Sequence, residues 1–287
     1  MLRYSKIALL LGVLFIASAC DDFLDKDPDN RARLNNAQKI SQLLVTAYSE
    51  GNPATIAELS SDNFIDNNSP YNGNPPHNLP SLLKLHDEIF EWKPGNSYEA
   101  QDSPSYFWQK CYAAIAAANH ALQAIEELER QGHPENLNPQ RGEALVCRAF
   151  NHFLLVNIFC QPYRNDELSK EDLGIPYVTK PETVVHGKYD RETVSAVYAY
   201  IQKDLEEGIP LISDQTYTQP VFHFTRRAAA AFAARFFLFK RDYEKVEIYA
   251  NQVLGTDAPT ISSMMRVWKE FPTFEDFGYA YINPSAP

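Results

Sequence analysis

Apolar positions recur at steps of three and four along most of the chain, and the breaks between them are marked by caps and prolines. Ile40, Leu43, Leu44 and Ala47 predict a helix over Asn36 to Tyr48. From Asn52 to Asp102 the pattern lapses into an Asn- and Pro-rich stretch, interrupted by a short amphipathic helix at Ser81 to Trp92. Ser103-Pro104 then reads as an N-cap followed by a proline in the first turn, and Trp108, Cys111, Ile115, Ala118, Leu122 and Ile125 carry that helix to Gln131-Gly132. A second start at Asn138-Pro139 opens Arg141 to Cys160, which is apolar nearly all round and so belongs at the centre. After a long loop, Gln161 to Tyr189, Asp190 is placed to cap a third helix. Its inward residues are Val194, Val197, Ile201 and Leu205; Lys203, Asp204, Glu206 and Glu207 point outward. Thr225 caps a fourth helix, Arg226 to Phe239, and a tight Lys240-Arg241-Asp242 turn leads to a fifth, Tyr243 to Leu254. The pattern predicts an all-α fold.

The joint "FLFKRDYEKVEIYANQVL" resembles the tetratricopeptide pattern, in which a turn precedes an aromatic and an alanine-containing helix. The expectation is therefore a stack of tetratricopeptide-like helical hairpins, residues 36–287, carrying long irregular binding loops. An apolar content of 45% over 287 residues supplies a real core. The formal charge is −11, and more negative still without Arg3 and Lys6. That balance argues against nucleic acid and against docking on anionic lipid through basic patches.

The first nineteen residues read as a targeting segment. Arg3 and Lys6 precede ten apolar residues, Ile7 to Ile16, too few to span about 30 Å of hydrocarbon as a helix. Ala17-Ser18-Ala19-Cys20 follows and resembles a bacterial lipobox, with Ala17 where Leu is usual. Residues 1–19 would then be a lipoprotein signal peptide and Cys20 the lipidated (palmitate-bearing) first residue. Residues 20–35 would be an acidic tether, and several acyl chains would anchor it firmly. An ordinary signal peptide cleaved near Ala19 is the alternative. Cys111, Cys147 and Cys160 lack metal-ligand spacing and lie in apolar helical patterns, which suits buried free thiols.

Catalytic signatures are absent: no HExxH, no phosphate-binding GxxxxGK, no GxGxxG after a strand, no GxSxG elbow. The seven histidines show no metal-ligand pairing, so neither a metal nor another cofactor is expected. His86-Asp87-Glu88 reads as a solvated face. The loop region suits binding better. Asp66, Asn67, Asn68, Tyr71, Trp92, Asn96 and Tyr98, with Asp62 beside them, mix aromatic faces with amides and acids. A sugar offers apolar C–H faces and many hydroxyls to such a surface. The competing reading is that Trp92 packs the short helix down and the Asn residues only turn the chain.

Five blocks in one order carry a wider resemblance: "FWQKCYAAIAAANHAL", "RGEALVCRAFNHFLLVNIFCQPY", "LGIPYV", "YDRETVSAVYAYIQKDLEEGIPLI" and "RRAAAAFAARFFLFKRDYEKVEIYANQVL". With "CDDFLD" at the N-terminus, the chain resembles the SusD/RagB family of nutrient-uptake outer-membrane lipoproteins. The resemblance implies a non-catalytic, lipid-anchored protein on the cell surface that captures oligosaccharide or peptide. It would deliver that ligand to a SusC-like TonB-dependent transporter, with Asp21 and Asp22 as the surface-export address. Family members are longer, so the expectation is an N-terminal portion without the second half that completes the ligand site. Helix faces meant for that half would then be exposed. Two other readings are a protein-interaction scaffold without sugar affinity and a glycoside hydrolase using Asp62 or Asp66.

Overall fold

The structure, a computed structural model, describes residues 33–65, 83–99, 101–184 and 187–264, together with 273, 275, 276 and 278. The signal segment, Cys20 and most of the tether lie outside the described residues. Among those described, the regular structure is helical: α1 Ala37–Leu44, α2 Ala54–Leu59, α3 Lys84–Phe90, α4 Pro104–Arg130, α5 Asn138–Phe159, α6 Val194–Gly208, α7 Arg226–Lys240, α8 Tyr243–Leu254 and α9 Ala258–Met264. The strand-like pairing there is a single antiparallel bridge between Leu173 and Thr193.

Five helices begin by one device, an Asn, Ser, Thr or Asp side chain accepting the backbone N–H three residues on. Asn36 caps α1, Ser103 α4, Thr193 α6, Thr225 α7 and Asp242 α8, at 2.9–3.2 Å. Each such cap contributes about 1 kcal/mol. The α6 cap corrects the expectation of Asp190: residues 190–192 lie outside any helix, and Thr193 both joins the bridge and starts the helix. α2 was not expected from the pattern, and α3 is shorter than Ser81 to Trp92.

The expected centrality of Arg141 to Cys160 holds. α5 packs against α4, α6, α1 and α7, while α7 and α8 form a separate hairpin. One core lies between α4, α5, α6 and α7, with Phe107, Phe153, Tyr198, Phe236 and Phe237 buried in it. A second fills the angle between α1, α4 and α5 around Ile40, Leu44 and Ile125. Full burial of such a side chain stabilises by about 1.5–3 kcal/mol. α5 and α6 approach closely at Gly142 and Gly208. A Cβ on Gly142 would sit 2.7 Å from the Gly208 carbonyl oxygen, so only glycine fits. Cys111 and Cys147 are buried free thiols as expected, whereas Cys160, at the end of α5, is partly exposed. On the α7–α8 hairpin Leu238, Phe239, Tyr243, Ile248 and Leu254 are exposed, and α8 buries none of its residues. No helix among the described residues is long and apolar enough to cross a membrane.

Candidate functional site

The residues proposed from sequence to hold a sugar fall into two groups. Asp66, Asn67, Asn68 and Tyr71 lie outside the described residues. Trp92, Asn96 and Tyr98 all lie on the loop that leaves α3, and all three are exposed. The loop is held from below. Trp92 N–H donates to the Ile89 carbonyl (3.1 Å), Lys93 N–H to the Glu88 carbonyl (2.7 Å), and Ser97 N–H to Glu88 Oε2 (3.1 Å). The Ser97 side chain, with smaller contributions from its backbone N–H and from Lys84, lowers the Glu88 carboxyl against the opposing effect of burial. Glu88 therefore shapes the loop; the sequence reading had placed it on a merely solvated face. Trp92 adopts a left-handed backbone, φ 57°, a conformation that costs a non-glycine residue about 1–2 kcal/mol. It follows the Glu91 cap of α3 and is left 78% exposed, so it does not pack the helix down. Asp62 is also exposed, just past α2.

Two buried polar centres, both built on α5, escaped the sequence reading. In the first, Arg148 meets Asp204 of α6 through two parallel bonds of 2.7 Å, Nε to Oδ2 and Nη2 to Oδ1. Asp204 is thus buried, which corrects its placement on a wet face beside Glu206 and Glu207. Tyr177 donates its hydroxyl to Asp204 (2.6 Å), and Arg148 Nη1 donates to Asn119 Oδ1 (3.1 Å). Asn119 in turn donates to the Val178 carbonyl, while Val178 N–H donates to His152 Nε2 at 3.1 Å. The His152 ring stacks on Tyr177 at 3.9 Å. Burial, with Arg148 nearby, drives His152 down to about 3, so it is neutral and free to accept. The "LGIPYV" segment is thereby tied to α4, α5 and α6.

In the second centre, Glu143 is wholly buried and its Oε1 meets Tyr48 Oη at 2.7 Å and His223 Nδ1 at 2.6 Å. Phe224 N–H donates to Tyr48 Oη, and Tyr217 donates its hydroxyl to the Phe224 carbonyl. Glu143 Oε2 has no partner among the described residues. Burial pushes the Glu143 carboxyl up, against the hydrogen bonds from Tyr48 and His223. This centre draws α1 and the 217–224 loop onto α5. No group of three His, Cys, Asp or Glu among the described residues is arranged to hold a metal. Both centres act as polar clamps that tie loop segments to α5.

Residues 22–238 match the SusD-like family described as "Starch-binding associating with outer membrane". Among solved structures, a SusD superfamily protein of Bacteroides fragilis aligns with a TM-score of 0.61 at 20% identity, over 79% of this chain and 51% of that one. One of Bacteroides thetaiotaomicron gives 0.57 at 21%, over 83% and 50%. A laminarin-binding SusD-like protein gives 0.51 at 21%, over 77% and 43%. At these identities the likeness establishes the fold. The chain spans about half the length of the solved relatives it matches. No curated protein is significantly similar in sequence.

Proposed function

We propose a glycan-capture role from one premise: the chain belongs to the SusD-like family. The members of that family are binding proteins, and the family's description is starch-binding and outer-membrane associated. The observation that carries the reading to this chain is Trp92, a large aromatic left 78% exposed on a braced turn, with Asn96 and Tyr98 exposed on the same loop. An indole face covers the apolar C–H face of a pyranose, and neighbouring amides satisfy its hydroxyls. In the proposal Asp66, Asn67, Asn68 and Tyr71 complete the surface. The laminarin-binding relative supports a neutral oligosaccharide as ligand class. Cys20 carries the lipid that fixes the protein at the cell surface, and the captured glycan passes to a SusC-like TonB-dependent transporter.

Calorimetry of the full chain against malto- and laminari-oligosaccharides tests this. Trp92→Ala is expected to weaken binding about tenfold, a loss of roughly 1.4 kcal/mol. Absence of any glycan binding, together with unchanged uptake in a strain lacking the gene, would sink the proposal. Binding of the transporter without sugar affinity would favour the scaffold reading instead. A Cys20→Ala variant that remained in the membrane fraction would disprove the lipid anchor.

A further inference from the structure

The segment between α6 and α7 carries an exposed apolar pair. Val221 is 83% and Phe222 63% exposed, side by side on the short turn Pro220–Phe222. Water disfavours that placement, and a slack loop would fold the pair inward. This one is braced. Phe222 N–H donates to the Gln219 carbonyl and His223 N–H to the Pro220 carbonyl, both at 3.1 Å. Just behind the turn, His223 Nδ1 meets the buried Glu143 carboxyl at 2.6 Å, and its ring stacks on Tyr217 at 4.4 Å. Phe224 N–H then donates to Tyr48 Oη. The clamp on α5 thus fixes the base of the turn, and the apolar pair stays in solvent.

Phe222 lines a crevice whose other wall is α1, where Gln38, Gln42 and Val45 are exposed. None of the crevice's described lining residues is Asp, Glu, Lys or Arg, whereas the whole chain carries −11. Charge begins at the edges: Glu135 Oε2 accepts the Ala37 N–H at the start of α1, and Asp214 and Arg226 line the adjoining crevice. A rigid apolar tip beside amides and hydroxyls matches the boundary between lipid headgroups and acyl chains. The apolar groups enter the acyl region, and the amides bond phosphate and carbonyl oxygens. An acidic protein meets a membrane surface at least cost through a face without carboxylates. This face also lies near the point where the chain joins its tether. Ala37 lines the crevice, and twelve residues separate Cys20 from Arg33, where the described chain begins, a span of at most about 45 Å. A lipid on Cys20 therefore keeps this end of α1 close to the bilayer.

We infer that the Val221-Phe222 tip, with Val45 across the crevice, enters the interface of the bilayer that holds the Cys20 lipid, so that the folded domain touches the membrane directly. The closeness of the bilayer rests on the lipid reading of Cys20, whereas the apolar tip does not, and the two are tested separately. The experiment is tryptophan fluorescence of the full chain reconstituted in phosphatidylcholine vesicles, with and without brominated acyl chains as quencher. Phe222→Trp places the probe at the tip, and Tyr243→Trp places a control on α8, which is 65% exposed at that position. Both sites are exposed, and circular dichroism confirms that each variant folds. After subtraction of the unsubstituted chain, the tip probe is expected to be quenched about twofold more than the control. That quenching is expected to be indifferent to salt and to fall when Val221→Ser is added. Equal quenching at the two positions overturns the inference. Mass spectrometry of the N-terminal peptide reads the lipid independently. A lipidated Cys20 with an unquenched tip overturns the membrane contact and leaves the anchor standing, while a quenched tip without lipid on Cys20 supports the contact and overturns the anchor. A blue shift of the tip probe that appears without vesicles and grows with protein concentration marks a second copy as the occupant and overturns the inference.

Discussion

The two polar centres on α5 start little more than one helical turn apart and solve the same difficulty differently. Around Arg148 a buried guanidinium meets a buried carboxylate bidentately, and Asn119 and Tyr177 take up further capacity. Around Glu143 one oxygen serves two partners and the other serves none among the described residues. A buried charge is tolerated when every lone pair is answered; otherwise the group drifts toward its neutral form. Burial pushes the Glu143 carboxyl up, in the direction of that second course. The first centre is a fully paired pin, and the second keeps one oxygen unpaired among the described residues.

The sharpest way to break that contrast is Asp204→Ala, which strands Arg148 in the interior. Urea unfolding is expected to show a loss of about 3–5 kcal/mol, while the Arg148→Met/Asp204→Leu double variant recovers most of it. A cost below about 1 kcal/mol for Asp204→Ala would mean that the pin is not there.

Acid titration gives the next largest effect. His152 has a folded value near 3 against 6.5 in the unfolded chain, so the unfolded state takes the proton first. Its contribution is complete above about 6.5 and is lost as pH falls toward about 3, at up to about 1.4 kcal/mol per pH unit. Glu143 has the opposite sign. Its folded value is raised, so lowering the pH toward its ordinary 4.5 favours the fold. Stability curves between pH 7 and pH 4 are therefore expected to flatten in His152→Gln and to steepen in Glu143→Gln. Parallel curves would remove the distinction. The smallest effect is Glu143→Gln at pH 7, expected within about 1 kcal/mol of the parent because an amide keeps a Tyr48 acceptor without a buried charge.

Much of the fold is legible from local chemistry. Ser103-Pro104, Thr225 and Asp242 announce their helices because capping depends on the next three residues alone. Thr193 and Asp190 are equally good caps locally, and the choice falls to the non-local bridge with Leu173. Asp204 was misplaced because it sits among Lys203, Glu206 and Glu207; yet it lies three residues after Ile201 and seven after Val197, on the inward face. An arginine inside the apolar run of α5 required a partner, and that inward Asp was the available one. Gln140 of α5 donates to Ser41 of α1, 99 residues away, and no spacing rule reaches that far. The loop after α3, proposed to hold a ligand, turns on a left-handed Trp92 that no propensity favours.

The bond from Val178 N–H to His152 Nε2 has a spectroscopic consequence. A protonated imidazole carries hydrogen on both nitrogens and cannot accept, so this amide is hydrogen-bonded only while the ring is neutral. Val178 lies outside any helix, and its exchange with deuterium is therefore a one-residue reporter of the ring's charge. Acceleration of that exchange, ahead of the helix amides around it, would time the release of the "LGIPYV" segment from the bundle.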